Sequence, residues 1–232
     1  MNNRKDYGNP PFPDLRYCLR CCMPETNEGM QFDEIGICLA CRSSEQKMHI
    51  NWVNRQKKLN EIIEYYRAKS GDNYDCIVPI SGGKDSAFQL HVLTQVYKVK
   101  PLAVTFNHNW YSKTGKYNLE NLLEKMDVDH IMFTPHRSLV NRLARKSIHK
   151  IGDSCWHCHM GVEAFPLQVA VKWNIPLLIY GESPAEHSGR STYLENPEFS
   201  HDFFVQHSAK VTPNDMIGDD ISMKDMCPFE PP

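Results

Sequence analysis

Apolar and polar residues change their period several times along this 232-residue chain, and each change marks an element. Between Asn51 and Ala68, Leu59, Ile62, Ile63 and Tyr66 recur at i, i+3, i+4 and i+7, which predicts a helix. Ser70-Gly71-Asp72-Asn73 ends it. Short apolar runs then alternate with helical spacing. The pattern predicts strands over 75–80, 101–106, 128–133 and 176–180. It predicts helices over 85–97, where Ala87, Leu90, Leu93 and Tyr97 share one side, and over 115–126, 138–149 and 161–174. Strands alternating with helices imply right-handed crossovers, hence a doubly wound α/β fold around a mostly parallel sheet. The last thirty residues lose the pattern. The first sixteen are polar, carry Pro10, Pro11 and Pro13, and read as a loose arm. The expected organisation is an arm over 1–16, a cysteine-rich module over 17–48, a linking helix over 49–72 and the α/β domain over 73–232.

Composition narrows the classes. The chain is 41% hydrophobic and 23% charged, with a formal net charge of -2, which argues against a strongly basic nucleic-acid binder. No apolar run approaches the ~18 residues needed to span a membrane, and the N-terminus lacks a secretory pattern, so a cytosolic location is expected. Nine cysteines are many for such a chain, and five fall between Cys18 and Cys41, which suggests metal rather than disulfides. Cys18-x2-Cys21 and Cys38-x2-Cys41 have zinc-ribbon spacing, and four sulfurs closing a tetrahedron make a structural site. Cys22 is an alternative to Cys21. A further pair, Cys155-x2-Cys158 with His157 and His159, lies just before a predicted helix, where thiol pKa values are lowered. It reads as a redox pair, as a second metal or iron–sulfur site with Cys227 or a histidine as further ligand, or as packing.

The stretch "CIVPISGGKDSAF" carries the clearest chemistry. Two glycines between strand and helix let the backbone turn sharply and gather N–H groups at a helix N-terminus, a ready anion site to which Lys84 adds a full charge. Asp85 or Ser86 is the expected helix cap. The spacing is not that of a Walker A loop. Ser81-Gly82-Gly83-Lys84-Asp85-Ser86 instead resembles, residue for residue, the PP-loop of ATP pyrophosphatases, which implies that it grips the β,γ-phosphates of ATP.

The resemblance extends further. The zinc-ribbon cysteines, "FDEIGICLAC", "NYDCIVPISGGKDS", "PLAVTFNHNW", "NLENLL", "VDHIMFTP", "KWNIPLLIYGES" and "DMIGDDIS" follow in an order similar to the N-acetyl sugar amidotransferases of surface-polysaccharide and nonulosonic-acid pathways. That likeness covers nearly the whole chain after residue 16. It implies adenylylation of an acetamido oxygen with ATP and Mg²⁺, then displacement of AMP by ammonia from a separate glutaminase partner. It also implies a longer chain, so the C-terminal domain reads as short. Lys84 and the N–H groups of Gly82 and Gly83 would offset pyrophosphate charge, Ser81 and Ser86 would add hydrogen bonds, and Asp85 would hold Mg²⁺ or cap the helix. Glu182, directly after a strand, is a candidate for binding sugar or metal, and Phe106 and Asn107 stand where adenine would lie. The basic run 142–150 reads as a solvated helix face. Two other readings are a tRNA thiolase with an iron–sulfur cluster, and a non-catalytic subunit that holds a partner protein.

Overall fold

The computed structural model describes residues 14–27, 30–181 and 209–232 and divides at Trp52/Val53 into two compact units. The first unit holds the cysteine module and helix α1 (Leu39–Gln46). Its chain folds as two tight turns. Cys18 N–H and Cys22 N–H bond Met23 and Cys18 carbonyls, and a Phe32–Cys38 bridge encloses the turn 33–37. Asp33 fixes that turn, because its carboxylate accepts N–H bonds from Ile35 (3.1 Å) and Ile37 (2.8 Å) and pairs with Arg42 at 2.6 Å.

The second unit is α/β. Strands β1 (Cys76–Pro79), β2 (Pro101–Phe106) and β3 (His130–Phe133) form a three-stranded parallel sheet in that order. Helix α2 (Trp52–Ser70) leads into β1, and helix α3 (Lys84–His91), extended by a π-type turn over Val92–Val96, follows it. Helices α4 (Lys113–Met126), α5 (Arg137–Ile151) and α6 (Trp156–Lys172) complete the alternation. Strand β2 is buried along all six residues, as a central parallel strand must be. Cys76, Val78 and Ala103 pack with Ile63 of α2, Leu90 of α3 and Leu119 of α4, whereas Ile77, Leu102 and Val104 meet Val169 and Phe165 of α6. Each face of the sheet thus has its own apolar layer.

Three expectations are revised. The predicted strand 176–180 is a single parallel bridge between Leu178 and Ile77, held by Ile77 N–H to Leu177 (2.8 Å) and Ile179 N–H to Ile77 (3.0 Å). Helix α6 begins at Trp156 rather than near 161. Its helix-unfriendly Gly161 and Pro166 masked the period. Gly161 is required there, since a Cβ would stand 2.2 Å from the Phe106 ring. The patternless C-terminus is ordered by capping rather than by periodicity. Thr212/Asp215 and Ser222/Asp225 form two capping boxes, the second opening helix α7 (Met223–Met226). Met216, Ile221, Met226 and Phe229 are buried in one cluster with Leu139 and Leu143 of α5 and Trp156 and Met160 of α6.

Candidate functional site

The loop motif 81–86 leaves β1 at the carboxyl end of the sheet and runs into the first turn of α3, at the edge where open parallel sheets bind ligands. Gly82 has φ +78°, and a Cβ there would meet Leu119 N of α4 at 2.8 Å. Only glycine fits that approach. The helix cap is Gly83, not Asp85 or Ser86, and no side chain caps α3, so the first-turn N–H groups remain for a ligand. Serine hydroxyls hold the rest of the loop. Ser81 N–H bonds Ser86 Oγ (3.3 Å), Gly83 N–H bonds Ser81 Oγ (3.3 Å), and Ser86 Oγ donates to Gly83 C=O (3.1 Å). Lys84 Nζ lies 2.7 and 2.8 Å from the Asp85 carboxylate oxygens. That pair is solvent-exposed, and its opening costs little. Ser81 N–H, Gly83 N–H and Lys84 Nζ are thus each held by a partner that an incoming anion can replace.

The Leu177–Ile179 segment bonds the free side of β1, so the spatial order is segment, β1, β2, β3. Strand order therefore reverses at β1, and the loop stands at the reversal, the position where nucleotides bind in such sheets. Gly181 closes against α3: a Cβ there would lie 2.8 Å from Gln89 Oε1 and 3.7 Å from Asp85 C. Gln89 Nε2 in turn donates to Ile179 C=O at 2.6 Å. Glu182 lies outside the described residues.

Phe106 and Asn107 stand at the end of β2, but their side chains are engaged within the fold. The Phe106 ring is 3% exposed and packed against Phe133, Phe165 and Phe229, so it offers no face to a nucleotide. The Asn107 amide is engaged as well: Nδ2 donates to Thr134 Oγ1 (3.1 Å), and Oδ1 accepts Asn109 N–H (2.8 Å). Next along the chain, His108 is stacked on Tyr111 at 4.5 Å. Burial lowers the His108 pKa, and Nδ1 accepts the Trp110 N–H at 3.0 Å.

Cys155 caps α6 positionally and Cys158 lies in its first turn, where Cys158 N–H bonds Cys155 C=O at 2.8 Å. The expected lowering of the thiol pKa is overturned at Cys158. Burial, then the neighbouring Cys155 and Asp153, push it up to about 11. The pair does not gather a third His, Cys or carboxylate ligand among the described residues. Cys227 is far from it, since its carbonyl accepts from Gln168 Nε2 (2.6 Å), ten residues and about 15 Å along α6 from Cys158. His157 between the two cysteines is fully buried, with Nε2 3.3 Å from His108 C=O and its ring 4.5 Å from Trp110. The pair thus frames a packing contact with the loop after β2.

The first unit holds the other site. Sγ atoms of Cys18, Cys21, Cys38 and Cys41 lie within 4.8 Å of one another, a group able to hold a metal ion. Cys18–Cys41 and Cys21–Cys38 are 3.9 and 3.6 Å apart. A tetrahedron with Zn–S of 2.3 Å has edges of about 3.8 Å. The donor set therefore fits zinc. Cys22, at φ +59°, is exposed and not in the group. Cys18 Sγ accepts N–H bonds from Arg20 (3.5 Å) and Cys38 (3.3 Å), and Cys38 Sγ accepts from Cys41 (3.5 Å). Burial raises the Cys18 pKa, but N–H donors of Cys21, Cys38 and Arg20 outweigh it and bring the thiol down to about 6. Cys41 is pushed up to about 12 by burial and then by the Cys21 and Cys38 sulfurs.

The basic run is not a bare solvated face. Lys146 Nζ donates to Met216 (3.0 Å) and Ile217 (2.6 Å) carbonyls, and Arg142 faces Asp220 at 3.9 Å. Two of its cations therefore hold the C-terminal segment.

No protein-family model matches the chain. It is similar to two proteins of Methanocaldococcus jannaschii. One, the uncharacterized protein MJ1599, is 30% identical over 105 residues, 45% of this chain and 37% of its own length. The other, the uncharacterized protein MJ1016, is 23% identical over 143 residues, 58% of this chain and 47% of its own length. The matches thus span less than half the length of these relatives. Among the described residues no helix is long and apolar enough to cross a membrane.

Proposed function

We propose that the second unit binds ATP and activates an amide oxygen as its AMP ester, as the catalytic subunit of an N-acetyl sugar amidotransferase. The observation that carries this reading is the uncapped α3 N-terminus behind the Ser81–Ser86 loop, at the point where strand order reverses. An acetamido oxygen is a poor leaving group. Its attack on the α-phosphorus expels pyrophosphate. Ammonia then bonds to the imidate carbon, a proton is lost, and the carbon–oxygen bond breaks to release AMP with that oxygen. The product is an acetamidino group. Gly83 N–H, the first-turn N–H groups and Lys84 offset the charge on departing pyrophosphate, the kind of stabilisation that is usually the largest contribution. Asp85, one carboxylate beside the phosphates, is the residue to hold Mg²⁺, which would neutralise phosphate charge. The four cysteines of the first unit hold zinc in a structural role, as a closed site implies. Ammonia comes from a glutaminase partner.

The test is AMP release from ATP and Mg²⁺ with ammonium chloride across nucleotide-linked and free acetamido sugars, with unmodified tRNA in parallel. Sugar-dependent AMP, with product one mass unit lighter as NH replaces O, supports the reading. AMP release with tRNA alone overturns it.

A further inference from the structure

Where β1 leaves the sheet to become the phosphate loop, its last hydrogen bonds decide where the loop begins. Ile80 N–H still bonds the Val104 carbonyl of β2 at 2.9 Å. The Ile80 carbonyl, one peptide before Ser81, is taken by a side chain instead: Thr105 Oγ1 donates to it at 2.8 Å. Thr105 is 2% exposed. A hydroxyl has one proton, so once it is given to Ile80 the oxygen can only accept. The partner is His130 Nε2 on β3, 2.9 Å away. That bond fixes His130 as the Nε2–H tautomer, and burial favours its neutral form. A chain of two hydrogen bonds across three strands therefore ends on the carbonyl that starts the loop.

We propose that Thr105, oriented by His130, is a positioning residue for the phosphate loop, fixing the Ile80–Ser81 peptide so that the N–H groups after it are aimed before a nucleotide arrives. The inference rests on the reading of this loop as the β,γ-phosphate site. A loop with two glycines has much backbone freedom to lose on binding. Donors already in place spare that loss and need no reorganisation. The contact of Gly82 with α4 restrains the tip of the loop, and Thr105 restrains its stem. In a buried central strand flanked by Val104, a valine would pack as well as threonine. What the hydroxyl adds is the bond to Ile80.

Three proteins test this: wild type, Thr105→Val, and Thr105→Ser, which restores the hydroxyl. Two readouts are used, amide hydrogen exchange of Ser81–Ser86 in the ligand-free chain, and calorimetric binding of Mg·ATP and of AMP. In Thr105→Val the unsatisfied Ile80 carbonyl is expected to speed loop exchange and weaken Mg·ATP each by about tenfold, leaving AMP affinity and exchange in α5 unchanged. Thr105→Ser is expected to return both towards wild type. Unchanged loop exchange in Thr105→Val overturns the proposal, and so does faster exchange spread evenly over the sheet, which marks a merely structural role. If wild type binds neither nucleotide, the phosphate-site reading fails, and the exchange comparison still decides whether Thr105 positions the loop.

Discussion

Lys84 and Asp85 are paired with each other at the surface, with 87% and 62% of their side chains exposed, and neither supports the core. Replacing either should leave the fold alone, because exposed pairs contribute little. Lys84→Ala is therefore expected to melt like wild type while its Mg·ATP affinity falls about 10- to 100-fold, the worth of one charge-assisted hydrogen bond to phosphate. A calorimetric titration beside a melting curve checks both halves. His157 behaves oppositely, since it is fully buried and burial, the largest cause, lowers its pKa below the ordinary 6.5. In the unfolded chain the ring takes up a proton near 6.5, whereas in the fold it stays neutral, so below that pH the unfolded state binds more protons. Stability is then full above about 6.5 and falls as pH drops from there towards the folded pKa, by up to about 1.4 kcal/mol per pH unit for this one ring. Denaturant melts at pH 7.5, 6.5 and 5.5 should show the decline, and His157→Phe should flatten it. His108 and His130, also lowered by burial, leave a residual slope of the same sign.

At the scale of elements, the β1–α3 turn works because one glycine meets a helix backbone and the other does not. A Cβ at Gly82 would meet Leu119 N at 2.8 Å and sit at positive φ, whereas one at Gly83 would meet only the Ser81 hydroxyl at 3.3 Å. Gly82→Ala is thus expected to lower stability by about 2 kcal/mol, and Gly83→Ala to fold like wild type, with equilibrium denaturation as the measure. The need for glycine was legible in "ISGGKDS"; which glycine bears the strain was not, because Leu119 of α4 lies thirty-seven residues later in the chain. The same division runs through the fold. Helices near 115–126 and 138–149 were legible because each turns its apolar period to one layer of core, and strand 101–106 because its apolar run is buried on both faces. The start of α6 was hidden, since Gly161 is set by the distant Phe106 ring. The Leu177–Ile179 pairing is one bridge with no period of its own. Phe106 was legible as a strand-end residue, yet its burial depends on Phe133, Phe165 and Phe229, which no local window contains. Thr105 carried no signal beyond its place in a strand, for its role appears only when Ile80 and His130 are brought beside it.

For the whole molecule, the division into two units predicts two separable responses to metal removal. In the first unit the described residues bury few apolar side chains; Cys18 and Cys38 are the ones at 1% or less exposure, so the sulfurs take the place of a core. Small modules of this kind fold on metal binding, and the binding free energy is the folding free energy. The second unit has three apolar clusters of its own and no need of the ion. Stripping the metal with a strong chelator should therefore release about one zinc per chain and abolish amide protection around residues 18–41, with protection in β1, β2 and α6 unchanged. Cys21→Ser should lose the ion, and Cys22→Ser should keep it. Protons set the pH dependence. Without metal, Cys41 is pushed up to about 12 and Cys38 is raised as well, so both thiols must give up a proton to bind. Cys18, brought down to about 6, is already ionised at neutral pH. Zinc affinity should then strengthen by about a hundredfold or more per unit between pH 6.5 and 8, and weaken correspondingly on acidification. A competition titration against a chromogenic chelator at three pH values measures that slope, and a slope near zero would place the ion on ligands other than these thiols.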